Sequence, residues 1–269
     1  MTEVANRPPS DGPAAERPAV RYEVDAGVAT ITIDRPEARN AINRAVRDGL
    51  WAAFDTIAAD DAIKVAILTG AGDRAFSAGA DLKEMAETKM AVPSKRGIPH
   101  LGRNVQLDIP VIAAVNGFAL AGGFWLAQQC DLCYAAEHAQ FGISEAKWSR
   151  GAPWAGPLPW LIPPRVAMEL LVTAEPISAR RAYELGLVNA VLPRAELMAE
   201  VRRVAAVIAG NAPLTVRAGK ALVYRTMGLS WLDSLEEGDR IYEPVYLSED
   251  AQEGPRAFAE KRAPIWKGR

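Results

Sequence analysis

From Tyr22 onward the chain switches between two hydrophobic periods. Val28-Ala-Thr-Ile-Thr-Ile33 alternates at period two, which predicts a strand. Val46, Leu50, Phe54 and Ile57 then recur three or four residues apart, the apolar face of a helix. Lys64-Val-Ala-Ile-Leu-Thr-Gly70 is too apolar to face water on either side, so it predicts a strand buried on both faces. Asp81 stands where an N-cap belongs and predicts a short helix after it. Pro110 precedes a third buried strand, Val111-Ile-Ala-Ala-Val115. Asn116-Gly117 follows as a turn, and a helix is predicted from about Gly122 to Cys130. Strand and helix alternate through this half, so the fold class is α/β with crossover connections.

Beyond Pro163-Pro164 the helical period dominates. Helices are predicted over Val166–Thr173, Ala179–Leu185, Leu197–Ile208, Leu214–Tyr224, Trp231–Tyr246 and Gln252–Arg262. One short apolar piece, Val188–Leu192, reads as a strand. No internal repeat of fixed period is visible in the residues.

Residues 1–19 hold Pro8, Pro9, Pro13 and Pro18 and almost no large apolar side chain, so they read as a disordered tail. The tail has no apolar stretch suited to a secretory signal, and Glu3, Asp11 and Glu16 argue against an acid-poor transit peptide.

Composition narrows the function classes. The chain has 269 residues, 49% hydrophobic and 24% charged, enough to bury a core without disulfide or metal staples. Thirty-one basic against 33 acidic residues give a net charge of −2, which argues against nucleic acid as a partner. No apolar run approaches the ~18 residues of a transmembrane helix, and no membrane partner is expected. The only cysteines, Cys130 and Cys133, form one C-x-x-C. A zinc site needs more ligands, and His100 and His138 are the only histidines, so no metal is expected. The cysteines read as buried structural thiols in a reducing, cytoplasmic compartment.

Two glycine-containing turns follow buried strands and precede helices: Phe76-Ser-Ala-Gly-Ala-Asp-Leu82 and Gly117-Phe-Ala-Leu-Ala-Gly-Gly123. Small residues let backbone N–H groups approach a ligand, and two such groups converging on one carbonyl form an oxyanion hole. Each turn taken alone reads more readily as plain architecture. Neither carries a dinucleotide or P-loop fingerprint. Glu145, after Phe141-Gly-Ile-Ser144, lies in an apolar setting that suits a proton-transfer carboxylate; a first-turn helix acid is the alternative. Trp125, Trp148, Trp154 and Trp160 crowd one stretch, as a pocket lining or as core.

In their order these segments resemble the crotonase (enoyl-CoA hydratase/isomerase) superfamily, from Tyr22 to Arg269. The likeness rests on Ile33-Asp-Arg-Pro-Glu-Ala-Arg-Asn-Ala-Ile42, Phe76–Met85, and Ile109-Pro-Val-Ile-Ala-Ala-Val-Asn-Gly-Phe-Ala-Leu-Ala-Gly-Gly123. It is extended by Cys130–Ala135, Ala139–Gly142, Ile177-Ser-Ala179, Ala182–Asn189 and Ala257–Arg262. It implies a spiral of ββα turns over residues 20–210 and a helical region, 211–269, that makes trimers or dimers of trimers. It implies an acyl-CoA thioester as substrate, with coenzyme A part of that substrate and no separate cofactor. The N–H groups of Ala80 and Gly122 would hold the thioester oxygen. Ala38, Arg39, Ala78, Gly79, Asp81, Leu82 and Gly123 would contact the ligand. Lys261, or Lys267, would reach the CoA phosphates across a subunit contact.

Two departures matter. Hydratases of this family use two glutamates. The second matches Glu145, but the first falls on Trp125, whose indole N–H is only a donor. The glycine-rich turn after Glu145 is replaced by Trp148-Ser-Arg-Gly-Ala-Pro-Trp-Ala-Gly156, one residue longer, with Arg150 read as a surface group. Trp125 and Trp148 are therefore expected to wall a remodelled acyl pocket. The expected activity is acyl-CoA chemistry through a thioester enolate, with Glu145 as the single acid/base: double-bond isomerisation, or impaired hydration. The alternatives are another reaction of the superfamily on an aryl- or carboxyacyl-CoA, and acyl-CoA binding without turnover.

Overall fold

The computed structural model describes residues 17–89 and 96–269. Most of the expected tail, residues 1–16, lies outside the described residues. Its last three do not behave as tail. Arg17 donates from Nε to the buried Asp34 carboxylate at 2.8 Å, and Asp34 N–H donates to Ala19 C=O at 2.8 Å. The Asp34 carboxylate gathers both Arg17 and Arg21.

The elements run β1 (Val20–Asp25), β2 (Val28–Ile33), α1 (Arg44–Ala59), β3 (Val65–Gly70), β4 (Ala75–Ser77), α2 (Leu82–Thr88), β5 (Val111–Val115), β6 (Phe118–Leu120), α3 (Gly122–Gln128), β7 (Leu132–Ala136) and β8 (Gln140–Gly142). After two single-turn 3-10 pieces come α4 (Leu158–Leu161), α5 (Pro164–Thr173), β9 (Ile177–Ser178), α6 (Ala179–Glu184), β10 (Ala190–Leu192), α7 (Arg194–Gly210), α8 (Pro213–Thr226), α9 (Trp231–Tyr246) and α10 (Glu249–Ala259).

Two sheets organise them. The larger has the order β1-β2-β3-β5-β7-β10 and is parallel except for the β1–β2 hairpin. The smaller has the order β4-β6-β8-β9 and is parallel except for β9. Consecutive strands go to different sheets: β3 then β4, β5 then β6, β7 then β8. Each turn of the chain thus adds one strand to each layer, which is the expected spiral.

The alternation of side chains across β3 explains its unbroken apolar run. Ala66 and Leu68 join the core shared with α1 and the smaller sheet, while Val65 and Ile67 pack with Leu197, Val201 and Ala205 of α7. The expectation of burial on both faces holds: every residue of β3 is buried.

The last helix begins three residues earlier than expected. Ser248 caps it, its hydroxyl accepting from Ala251 N–H at 3.1 Å, and the backbone turns left-handed at Lys261 (φ 54°), so helical geometry does not reach Arg262. Helix α8 is tied to the spiral by Lys220, whose Nζ donates to Ile109 C=O at 2.8 Å and to Asp131 at 2.9 Å. Among the described residues no helix is long and apolar enough to cross a membrane.

Candidate active site

The site is built where three turns of the spiral meet. The first is the loop after β2. Pro36–Ala38 forms a 3-10 turn, and Arg39 and Asn40 follow in left-handed backbone (φ 53° and 55°). Asn40 is fully buried, and its Nδ2 donates to the carbonyls of Ala71 (2.9 Å) and Ala75 (2.7 Å). Its side chain therefore supplies the bonds that irregular buried backbone needs.

The second turn is Ala78–Asp81. Ala78 N–H donates to Arg39 C=O (3.0 Å), Ile42 N–H to Gly79 C=O (2.8 Å), and Asp81 N–H to Ile42 C=O (3.1 Å). These bonds bridge Ile42 to Ala80 as parallel partners and turn the Ala80 N–H away from Ile42. Ser77 adds support from both sides: its hydroxyl donates to Asn40 C=O (2.8 Å) and accepts from Gly79 N–H (3.2 Å). Asp81 caps α2 by accepting from Lys83 and Glu84 N–H and pairs with Arg35 at 3.1 Å. Burial works to raise the Asp81 carboxyl, but these bonds outweigh it and hold it below its ordinary value.

The third turn is Leu120–Gly123. Gly142 ends β8 beside Leu120, and Ala121 N–H donates to Gly142 C=O at 2.8 Å. Ala121 lies at φ 50°, ψ −122°, a backbone region that is costly for any residue with a side chain. That strain sets the direction of the next amide, Gly122 N–H, at the first position of α3. Among the described residues neither Ala80 N–H nor Gly122 N–H donates to a backbone carbonyl.

Two glycines make the approach possible. A Cβ on Gly123 would stand 2.1 Å from Ser77 C=O, so no side chain fits there. Gly79 (φ 89°) lies against the same turn, and a Cβ on it would come within 3.1 Å of Gly122 N. The two unbonded amides are thus carried by segments in direct contact, each at the start of a short helix, where developing negative charge is favoured.

Glu145 opens the 3-10 turn Glu145–Trp148, three residues after Gly142. It is a first-turn acid, placed three residues beyond the Gly142 whose carbonyl accepts from Ala121 N–H. Trp154 Nε1–H donates to its Oε1 at 3.1 Å, and its Oε2 is buried with no hydrogen-bond partner among the described residues. Burial raises the Glu145 carboxyl above its ordinary value, partly opposed by a backbone hydrogen bond and the Trp154 donation.

Trp154 in turn stacks flat on Trp125, centroids 6.2 Å apart and planes 1° from parallel, and meets Phe124 edge-on at 5.9 Å. Trp125 also meets His100 edge-on at 5.3 Å. Burial, with Arg103 nearby, lowers the His100 imidazole below its ordinary value, so the ring is neutral at pH 7. A row of groups, Glu145–Trp154–Trp125–His100, therefore runs along α3.

Of the expected site residues, hydrogen bonds and contacts bring together Ala38, Arg39, Ala78, Gly79, Ala80, Asp81, Gly122 and Gly123, and link Glu145 to Trp125 through Trp154. Leu82 opens α2 and is 47% exposed. Trp148 is 58% exposed and Trp160 is 70% exposed, so the four tryptophans do not share one wall. Only Trp125 and Trp154 meet, and neither Trp148 nor Trp160 stacks on them. Lys261 is exposed beyond α10, a helix that packs on α9, and Lys267 pairs with Glu249 at 2.7 Å. Cys130 and Cys133 are free, buried thiols. Burial pushes Cys133 to about 12 and Cys130 well above its ordinary value. They line a cavity of about 130 Å³ on α3 that includes neither Gly122 nor Glu145. Among the described residues no three His, Cys, Asp or Glu side chains gather to hold a metal ion.

Sequence reasoning missed His100 and Ala121. The one signal for His100 was its rarity as one of two histidines. An alanine in place of a turn glycine gave no signal for Ala121.

The profile of the enoyl-CoA hydratase/isomerase family matches residues 23–269. The chain belongs to that family. Carnitinyl-CoA dehydratase of Salmonella typhi is 41% identical over 254 residues, covering 90% of this chain and 95% of that protein. The crystal structure of an enoyl-CoA hydratase from Mycobacterium tuberculosis H37Rv superposes with a TM-score of 0.87 at 41% identity, over 94% of this chain and 100% of that one. A probable enoyl-CoA hydratase/isomerase from Mycobacterium abscessus does so at 0.84 and 42% identity, over 94% and 100%. The likeness spans β1 to α10, so the spiral and both glycine turns lie within the shared family fold.

Proposed function

We propose that the protein is an acyl-CoA enzyme that moves protons on an enoyl thioester, with Glu145 as its only acid/base. The observation that carries this reading is the state of Glu145: one oxygen held by Trp154, the other buried and unengaged, with Trp125 rather than a carboxylate at the position of the family's first glutamate. The N–H groups of Ala80 and Gly122 would take the thioester oxygen. Glu145 then removes a proton from the carbon α or γ to the thioester. The C–H electron pair moves into the dienolate, whose charge rests on that oxygen. The proton returns from Glu145 at the other end of the system, and the double bond has moved. One carboxylate suffices because it ends as it began. Donors aimed at the oxyanion are worth ~2.7–4 kcal/mol each in barrier.

A second reading, reversible addition of water, is favoured by the likeness to carnitinyl-CoA dehydratase. Incubation with 2-enoyl- and 3-enoyl-CoA thioesters separates the two. Isomerisation leaves the mass unchanged and shifts the vinyl NMR signals; hydration adds one water. Recovery of every thioester unchanged would reject both.

Trp125→Glu tests whether the tryptophan merely replaces a carboxylate in a hydratase site. The indole is packed between Trp154 and His100, so a glutamate there meets aromatic surface rather than a place for water. The expected gain in hydration is under about tenfold, against the ~10²-fold or more that restored acid–base help brings. A gain of that larger size would show an intact hydratase site.

Self-association is part of the proposal. Trp231, Leu232, Leu235, Tyr246 and Leu247 of the helical region are more than half exposed, an apolar surface unusual for a lone chain. A trimer or a dimer of trimers is the expected mass by light scattering; a monomer at micromolar concentration would contradict it.

A further inference from the structure

We propose that Trp125 and His100 together form a polar contact for the acyl chain, one that selects thioesters carrying a hydroxyl or ketone oxygen beyond the thioester carbonyl. This rests on the acyl-CoA reading above and names the class of acyl group within it.

Trp125 Nε1 and His100 Nδ1 are both buried, and neither has a hydrogen-bond partner among the described residues. Two buried polar nitrogens on rings in edge contact, 5.3 Å between centroids, are a costly arrangement unless something else engages them. The indole N–H only donates, so its partner must be an acceptor. The neutral imidazole presents Nδ1 as acceptor or donor according to its tautomer. A hydroxyl oxygen meets both needs, accepting from the indole and donating to the imidazole. A ketone oxygen accepts from both in the other tautomer. An alkyl chain meets neither.

The pair is held in place rather than free to find other partners. Gln129 clamps the backbone on either side of His100, donating from Nε2 to Pro99 C=O at 3.1 Å and accepting from Leu101 N–H at 3.1 Å. His100 N–H donates to Asn104 Oδ1 at 2.7 Å. His100 C=O accepts from the N–H groups of Arg103, Asn104 and Val105. Trp125 is fixed by its flat stack on Trp154. Preorganised donors discriminate best, since no chain entropy is lost on binding.

The pair also sits at the right place. Ile98, two residues before His100, lies over the oxyanion turn: a Cβ on Gly122 would be 2.8 Å from Ile98 Cδ1. The chain therefore passes from above Gly122 to the edge of Trp125 within three residues. Trp125 itself is one turn into the helix that Gly122 begins. Trp125 is therefore about 5 Å along the helix axis from Gly122, within the reach of an acyl chain whose carbonyl is held there.

The test is isothermal titration of the full chain with butyryl-CoA, 3-hydroxybutyryl-CoA and 4-hydroxybutyryl-CoA, and of its His100→Ala, His100→Asn and Trp125→Phe variants. The readout is the ratio of hydroxylated to plain affinity, so general loosening of the pocket cancels. Wild type is expected to favour at least one hydroxylated thioester by about tenfold, the scale of one or two buried hydrogen bonds. His100→Ala and Trp125→Phe should each bring that ratio close to one. His100→Asn, which keeps a polar atom near the Nδ1 position, should retain part of it. Equal affinity of wild type for all three ligands would overturn the proposal, as would variants that weaken all ligands in parallel, which marks a packing role. Failure of every thioester to bind would overturn the acyl-CoA reading and this one with it.

Discussion

Replacing Glu145 by glutamine is expected to lower kcat on an enoyl-CoA thioester by roughly 10²- to 10⁴-fold, the range of general acid–base help. Glutamine keeps an acceptor for Trp154 Nε1–H, so the aromatic row stays in place and only proton exchange is lost. Wild type should show the corresponding pH limb. Burial raises the Glu145 carboxyl, and only its ionised form takes a proton, so kcat/KM should fall on acidification with a midpoint above the ordinary glutamate range. The stability effect has the opposite direction. With its folded pKa above its unfolded one, Glu145 contributes stability that is complete below the unfolded pKa and is lost as pH rises through the folded pKa. The glutamine variant suffers no such loss, so its Tm at pH 8 should equal or exceed that of wild type. The Tm advantage of the variant should shrink on going down to pH 4. Turnover of the variant within a few-fold of wild type would show that another group carries the proton.

Gly122→Pro is expected to cost about 10²- to 10³-fold in kcat. Proline is tolerated at the first position of a helix, and what it removes there is the amide hydrogen. A Cβ there meets two side-chain ends, Ile98 Cδ1 at 2.8 Å and Ile42 Cδ1 at 3.3 Å, with the nearest backbone atom at 3.6 Å. Free CoA has no thioester oxygen to hold and should still bind. Circular dichroism and a cooperative melt establish that the variant is folded. Turnover within about tenfold of wild type in such a protein would remove Gly122 from the oxyanion hole.

How much of this was legible in the residues depended on element length. Strands β2, β3 and β5 and the longer helices carry enough positions to show a period. Strands β4 and β6 have three residues each and β9 has two, too few for alternation to appear, and they form most of the smaller sheet. That sheet was anticipated only through family likeness. At the site, Glu145 and the glycine turns stood out as an acid and small residues in apolar stretches, but it was the family likeness that turned them from plain architecture into candidate site residues. His100 did not stand out, because what matters is a contact with Trp125 across 24 intervening positions of chain. The tryptophan cluster misled in part. Trp125 faces Trp154, but Trp148 lies in a 3-10 turn and Trp160 in the four-residue helix α4, elements too short for spacing to fix a common face.

The bridge between Ile42 and Ala80 and the bond from Ala121 to Gly142 also set an order of events during synthesis. Each joins one winding of the spiral to the next. The first amide donor is fixed once Ala80 has left the ribosome and docked on Ile42. The second waits for Gly142, and the carboxylate's neighbour waits for Trp154. Contacts that close such long loops form slowly, because their entropy must be lost before packing rewards it. A nascent chain therefore assembles the proposed centre only after its first three windings are in place, while the helices that follow are still being made. Ligand present at that stage has something to bind, and would favour the wound spiral over its partly folded competitors.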